Sequence, residues 1–108
     1  MRESTIEKRL KRGIEALGGL CEKFTSPGRR SVPDRLVSLP GGCIVFVELK
    51  APGKEPTPLQ EKDHARRRAL GFDVRVINTV EKVDAFLEEK LQNGVKISRP
   101  SRLPAKTV

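Results

Sequence analysis

Two carboxylates and a lysine, Asp34, Glu48 and Lys50, are the side chains of this sequence whose types and spacing could do chemistry. A Pro-Gly-Gly turn at 40–42 separates two apolar segments and predicts a β-hairpin. If the turn is centred on Gly41, paired residues have numbers that sum to 82, so Asp34 faces Glu48. Opposed residues share a face of the sheet, with β-carbons about 5 Å apart, and Lys50, two residues further on, points to that face. A bulge would alter this register.

This group of oxygen ligands beside a lysine predicts a site for a hard metal ion. Opposed carboxylates repel each other, so the pair either raises one pKa or recruits a cation. Oxygen ligands without His or Cys suit Mg²⁺ or Mn²⁺, and Mg²⁺ accepts phosphate oxygens as further ligands. Such an ion can activate a water and polarise a phosphoryl group, while Lys50 orients that water or stabilises charge on the phosphate. The pattern indicates phosphodiester hydrolysis; the structural alternative is a strand-end ion pair of Glu48 and Lys50, with Asp34 as a turn residue.

The composition favours a nucleic-acid partner. The chain has 108 residues, the length of one domain, with 22 Lys and Arg against 14 Asp and Glu and a net charge of +8. With no Trp, no Tyr and four Phe, contacts to the phosphate backbone are favoured over base stacking. The two cysteines make neither a disulfide framework nor a metal cluster. No apolar run is long enough for a membrane span and the charged N-terminus lacks a secretory signal, so a cytoplasmic protein is expected.

The elements that must position these residues alternate between strands and helices. Strands are expected at 20–25, 34–39, 43–49 and 73–77. The apolar third strand is expected in the centre of the sheet, and the strand-helix-strand order across 43–77 predicts that the third and fourth strands are parallel. The expected fold class is α/β, with a central mixed β-sheet flanked by α-helices. One domain is expected at 1–92, followed by a basic, flexible tail at 93–108.

Three helices are indicated by apolar spacing and capping signals. The first, at 4–17, has an apolar stripe and a capping box between Ser4 and Glu7. The second, at 57–70, has an equivalent box that ends at Gln60 and a proline at its first helical position. The third begins after Thr79 and is expected to bury Val80, Val83, Phe86, Leu87 and Leu91.

The order of these motifs resembles the VRR-NUC family, the virus-type replication-repair nucleases of the PD-(D/E)XK nuclease superfamily. The matching segments are Ile6-Glu7, Lys23-Phe24, Ser26-Pro27-Gly28, 32–36, 47–54, Pro58-Leu59-Gln60 and Gly71-Phe72. The resemblance covers about residues 4–88, and it is specific because several motifs occur in order at fitting spacings. One departure is Ser31, where the family usually has glycine; a differently shaped loop is therefore expected at 28–33.

The resemblance implies a restriction-endonuclease-like core and a role for each matching residue. Asp34 and Glu48 are implied to bind Mg²⁺ or Mn²⁺, helped by the backbone carbonyl of Leu49. Lys50 is implied to be the catalytic lysine. These roles agree with the chemistry expected from the hairpin alone.

Glu7 and Gln60 are the other residues with catalytic counterparts in the family. Glu7 matches the helix-1 acid that completes the site and is a further candidate metal ligand, and Gln60 matches the helix-2 glutamine. For both, the capping boxes are the structural alternative. Candidate contacts to DNA phosphates are Lys23, Arg29, Arg30 and Lys54, each with a solvated basic surface as the alternative. His64, the lone histidine, is expected to be solvated or near DNA rather than catalytic.

The resemblance further implies a metal-dependent DNA endonuclease that acts as a homodimer on branched DNA, such as four-way junctions, in replication, recombination or repair. It suggests a bacterium or a phage-infected host cell as the setting. Two alternatives stay open. One is a non-catalytic nucleic-acid-binding module, which the charge of +8 would explain. The other is a nuclease that acts on flaps, plain duplex DNA or RNA.

Overall fold

A four-stranded sheet forms the centre of the structure, a computed structural model that describes residues 2–93. The strands are β1 (Leu20–Lys23), β2 (Arg35–Leu39), β3 (Cys43–Leu49) and β4 (Asp73–Ile77), in spatial order β1-β2-β3-β4. Neighbours among the first three are antiparallel, and β4 lies parallel to β3. The predicted α/β class, the mixed sheet and the central third strand are confirmed. The expected tail, beyond residue 93, lies outside the described residues.

The core lies between one face of the sheet and two of the three helices. The helices are α1 (Glu3–Ala16), α2 (Pro58–Ala69) and α3 (Val80–Gln92). The core consists of Ile6, Leu10, Ile14, Val37, Leu39, Val45, Val47, Leu49, Ile77, Val83 and Phe86. The apolar stripe of α1 and the buried side chains of α3 cover the same sheet face, which leaves the opposite face to α2. None of these described helices is both long and apolar enough to cross a membrane.

The β2–β3 hairpin has the register that its turn predicts. Leu39 pairs with Cys43, and Arg35 pairs with Val47. Gly41 takes a φ of 87°, a left-handed conformation that glycine adopts without steric cost and that closes the turn. Because side chains alternate along a strand, the odd-numbered residues of β3 from 45 to 49 enter the core and the even-numbered ones face α2.

The capping signals of the first two helices have different outcomes. The box of α2 forms: the Thr57 side chain accepts from the backbone N–H of Gln60, and the Gln60 side chain accepts from the backbone N–H of Thr57. The box predicted for α1 is wrong, because this helix begins at Glu3, which places Ser4 inside its first turn. Glu7 is therefore not used for capping.

The inner face of α3 differs from the prediction at one position. Val83 and Phe86 are buried as expected, but Leu91 is 57% exposed and the neighbouring Lys90 is buried. Lys90 reaches Asp73 on β4, with Nζ 3.3 Å from Oδ2. At the end of α3 the buried side chain is therefore Lys90, held in an ion pair, and not the predicted Leu91.

Candidate active site

Two adjacent strands bring Asp34 and Glu48 together at one end of the sheet. Asp34 directly precedes β2, so one further step of the hairpin register places it opposite Glu48. The backbone N–H of Leu49 donates to Oδ1 of Asp34 over 3.2 Å, which holds the aspartate against the end of β3. Both carboxylates thus occupy the sheet face that α2 covers, away from the valines of the core.

Burial and neighbouring negative charge raise the cost of ionising both carboxylates. Glu48 is only 2% exposed, and its pKa rises from 4.5 to about 7, first because burial disfavours the charged form and then because of the negative charge of Asp34. Burial also raises the pKa of Asp34, despite the hydrogen bond from Leu49 and the nearby positive charge of Arg35. Without a further cation, the site is electrostatically unfavourable when both acids are ionised.

One oxygen of Glu48 has no hydrogen-bond donor within the described residues. Oε1 is buried without a hydrogen-bond partner, and Nε2 of His64, another buried atom without one, lies 3.7 Å away. Buried polar atoms are nearly always paired, so this carboxylate oxygen is free to accept a further donor or to bind a cation. A cation bound between the two acids would supply that partner.

The other oxygen of Glu48 is held by Lys50 and Gln60. Nζ of Lys50 lies 3.6 Å from Oε2, and Nε2 of Gln60 donates to the same oxygen over 3.3 Å. Gln60 combines its two predicted roles: its side-chain carbonyl caps α2 at Thr57 while its amide N–H group binds Glu48. The capping interpretation and the functional interpretation of this residue are therefore compatible.

Glu7 approaches the site through an arginine rather than directly. Its Oε2 lies 3.6 Å from NH2 of Arg35, and NH1 of Arg35 lies 3.8 Å from Oδ1 of Asp34. The guanidinium group therefore links the helix-1 acid to the aspartate. Glu3, one turn earlier in α1, contributes negative charge that raises the pKa of both Asp34 and Glu48.

His64 contradicts the expectation of a solvated histidine. It is 2% exposed and faces Glu48, and its pKa is lowered, first by burial and then by the positive charge of Arg68. The position of His64 could have been predicted from its spacing. Residues four apart lie on the same side of a helix, and Gln60, four residues earlier, was already a candidate site residue. Arg35 was also missed, although it directly follows the candidate aspartate.

The basic residues predicted to touch DNA lie on the surface, and within residues 2–93 none of them forms an ion pair with Asp34 or Glu48. Lys23, Arg29, Arg30 and Lys54 are all exposed. Arg29 is drawn towards α2, with NH2 3.5 Å from Oδ1 of Asp63. The backbone carbonyl of Lys54 accepts from the amide of Asn78, which ties the loop after β3 to the end of β4.

Two known proteins are similar to this chain over most of its length. A protein called "Putative nuclease p44", from Acyrthosiphon pisum secondary endosymbiont phage 1, is 56% identical over 79 residues, which make up 73% of this chain and 85% of that protein. A solved structure described as a VRR_NUC domain is 41% identical and has a TM-score of 0.76, covering 80% of this chain and 94% of that one. No family model matches the chain.

Proposed function

The chain belongs to the VRR-NUC family of nucleases, and from this premise we propose that it is a Mg²⁺- or Mn²⁺-dependent endonuclease that hydrolyses phosphodiester bonds of DNA. The proposed substrate is branched DNA, such as a four-way junction, in replication, recombination or repair. The observation that carries the proposal is Glu48, a buried carboxylate with one unpartnered oxygen beside a second acid and an ammonium group. Perturbed acids in such surroundings are typical of catalytic sites.

The donor set fits a hard divalent cation. Asp34 and Glu48 would hold it with the backbone carbonyl of Leu49, and Glu7 is a further candidate ligand. Among residues 2–93, no three His, Cys, Asp or Glu side chains form a ready-made metal cage. That agrees with Mg²⁺, which commonly uses one or two carboxylates and keeps several waters. When bound, such a cation lowers the pKa of a coordinated water and polarises the phosphoryl group.

The chain's own residues supply positive charge and hold the acids in place. The ammonium group of Lys50, 3.6 Å from Oε2 of Glu48, would stabilise negative charge that develops on the phosphate. Gln60 fixes Glu48 from α2, and Arg35 fixes Asp34 from the opposite side. Lys23, Arg29, Arg30 and Lys54 add to the net charge of +8, which attracts the DNA backbone without regard to sequence.

A homodimer is the proposed functional form, because symmetric cleavage of a junction needs two sites and residues 2–93 of one chain offer a single candidate site. The half of the α2-facing sheet surface farthest from Glu48 exposes Leu20, Ile44 and Phe72. These apolar side chains are the proposed contact between two copies. Light scattering should give the mass of a dimer for the wild type and of a monomer for Ile44→Glu; a monomeric wild type would contradict this part of the proposal.

A substrate panel tests the reaction. Labelled linear, flapped and four-way DNA substrates and a matched RNA are incubated with the protein in Mg²⁺, in Mn²⁺ and in EDTA. Cleavage of the four-way substrate that requires a divalent cation supports the proposal. Cleavage of flaps, plain duplex or RNA in preference would assign a different substrate, and binding without any cleavage would favour a non-catalytic module.

A metal titration tests the site without any substrate. Isothermal titration of the wild type with Mn²⁺ should show binding that Asp34→Asn loses, because the substitution removes one of the two acids. The matched control is Asp84→Asn, which removes an exposed aspartate paired with Arg9 on the far helices. Equal Mn²⁺ binding by wild type and Asp34→Asn would contradict the assignment of the metal ligands.

A further inference from the structure

We propose that a basic cavity between α2 and the loop at 26–33 binds one phosphate of the DNA strand beside the phosphate that is cut. The cavity, of about 400 Å³, is lined by Arg29, Ser31, Leu59, Lys62, Asp63 and Arg66. This inference rests on the proposed function, since it extends the path of the substrate away from the candidate metal centre. It assigns a role to residues that the site itself does not use.

The charge of the cavity suits an anion. Arg29, Lys62 and Arg66 line it, against one acid, Asp63. Lys62 and Arg66 form no ion pair within residues 2–93. They lie four residues apart on α2, and like charges at that spacing destabilise a helix. A phosphate group between them would relieve this repulsion and accept charge-assisted hydrogen bonds.

The acid in the cavity forms ion pairs with two arginines, while its Oδ1 has no hydrogen-bond donor among residues 2–93. Asp63 has a side chain that is 1% exposed, with Oδ2 2.8 Å from Nε of Arg67 and Oδ1 3.5 Å from NH2 of Arg29. The guanidinium carbon of Arg67 in turn lies 5.5 Å and 4.9 Å from the ring centres of Phe24 and Phe46. Asp63 therefore holds Arg29 at the cavity, and the cavity keeps a net positive charge.

Two uncharged residues complete the cavity. Ser31 stands where the family resemblance leads one to expect glycine, and it adds a hydroxyl group that can donate to a phosphate oxygen. Leu59 is 70% exposed and offers an apolar wall, which suits the carbon atoms of a sugar. The departure at Ser31 thus adds a donor to the loop next to its arginines.

The cavity and the candidate centre both involve residues of α2. Gln60, which donates to Glu48, lies next to Leu59 and less than one helical turn before Asp63. Because an α-helix rises only about 1.5 Å per residue, these residues lie within a short length of α2 and differ mainly in the side of the helix from which their side chains project. One side of α2 therefore faces the acids while the adjacent side lines the cavity.

The test compares two double variants that lose the same charge. Lys62→Gln with Arg66→Gln removes the cavity's unpaired cations, and Lys8→Gln with Arg12→Gln removes two exposed cations from α1 as the control. Binding to a junction made of oligonucleotides with 5′-hydroxyl ends is measured in EDTA over a range of salt concentrations. We expect the cavity variant to bind about tenfold more weakly than the control, with a logarithmic salt slope shallower by about 1.

A second arm identifies the phosphate. Single neutral methylphosphonates are placed along the strand near the branch point, and one position should weaken binding of the wild type about tenfold. The same position should have no effect on the cavity variant if the two groups contact each other. Equal salt slopes in the two double variants, or a methylphosphonate effect that persists in the cavity variant, would overturn the proposal. Because nothing is cut in EDTA, these results are independent of whether the protein is a nuclease.

Discussion

Two clusters of acids and bases occupy this small sheet, and their electrostatics are opposite. At the candidate site, Asp34 and Glu48 have raised pKa values, and one oxygen of Glu48 lacks a donor within residues 2–93. At the other cluster, Asp73 and Glu89 share the guanidinium group of Arg75, and both have lowered pKa values. The residue types are similar, but only the second cluster is satisfied by its own partners.

The paired cluster shows how the chain stabilises acids when nothing else is needed. Burial alone would raise the pKa of Asp73, but hydrogen bonds and charge from Arg75 and Lys90 outweigh it. The hydrogen bond from Arg75 is the main cause of the lowered pKa of Glu89, with Arg75 NH2 2.6 Å from Oε2. This network fastens α3 to β4. By contrast, the acids at the candidate site are left under-compensated, which is typical of positions kept for function rather than stability.

The largest effect is expected for Lys50→Ala, which removes the lysine of the candidate site. We expect a loss of about a thousandfold in cleavage rate, as for removal of a group that stabilises transition-state charge, while DNA binding is retained. The matched control, Lys90→Ala, removes the lysine of the paired cluster and should keep cleavage while it lowers stability. Single-turnover rates, binding curves and urea unfolding separate the two. Equal cleavage by wild type and Lys50→Ala would reject the proposed mechanism.

The next prediction concerns stability at high pH. Because the pKa of Glu48 rises from 4.5 to about 7 on folding, the folded state binds this proton more tightly, and its contribution to stability is lost as pH rises through about 7. Glu48→Gln should therefore stabilise the metal-free protein at pH 8 relative to wild type, by about 3 kcal/mol or less. Glu89→Gln, the control in the paired cluster, should have the opposite sign.

The pH prediction is measured by urea unfolding in EDTA at pH 5 and pH 8. The quantity to compare at each pH is the difference in the free energy of unfolding between wild type and Glu48→Gln. The free energy of unfolding of wild type alone also contains a contribution from His64, whose lowered pKa destabilises the folded state as the pH falls below about 6.5. Mn²⁺ should stabilise the wild type at pH 8 more than it stabilises Glu48→Gln. A variant that is less stable than wild type at pH 8 would mean that the acid is compensated in a way these contacts do not reveal.

A third change breaks the paired cluster instead. Arg75→Ala leaves Asp73 and Glu89 without their shared donor, so the free energy of unfolding should fall by about 2 kcal/mol. Cleavage at a temperature where the variant is folded should stay within a few fold of wild type. Chemical unfolding and cleavage assays check both statements. A large loss of cleavage in the folded variant would show that the two clusters are coupled.

The smallest expected effect separates the two roles of Gln60. Gln60→Ala should lower the free energy of unfolding by about 1 kcal/mol through loss of the cap, and it also removes a donor to Glu48. Thr57→Ala weakens the same cap and should leave cleavage nearly unchanged. If Thr57→Ala reduces cleavage as much as Gln60→Ala does, the glutamine acts only through the helix.

The hairpin was the most predictable part of the molecule. A short glycine turn determines which residues pair, so arithmetic on residue numbers was enough to place Asp34 opposite Glu48. The parallel pairing of β3 and β4 followed from the strand-helix-strand order across residues 43–77. The cap at Thr57 was also predictable, because both halves of the box lie within one turn.

The errors arose where long-range partners decide the outcome. The same pattern at Ser4 and Glu7 does not form a cap, and Glu7 instead lies beside Arg35 of a distant strand. His64 was misplaced because α2 has almost no apolar stripe to mark its inner side, while three arginines follow the histidine. Lys90 is buried in place of Leu91 because Asp73 offers it a partner that only the folded sheet provides.

The alternation of side chains along β3 also limits how this chain can vary in length. Valines at 45 and 47 enter the core, and Glu48 between Val47 and Leu49 faces the other way. Insertion or deletion of one residue between Val45 and Glu48 would exchange the core-facing and α2-facing residues of the strand. Glu48 would then point into the hydrophobic core, and a valine would face Asp34. Point substitutions can adjust this enzyme gradually, but a single-codon insertion or deletion in this strand would destroy stability and chemistry in one event. A change of length is better tolerated in the exposed loop that follows β3, whereas the short turn before β3 sets the register of the hairpin.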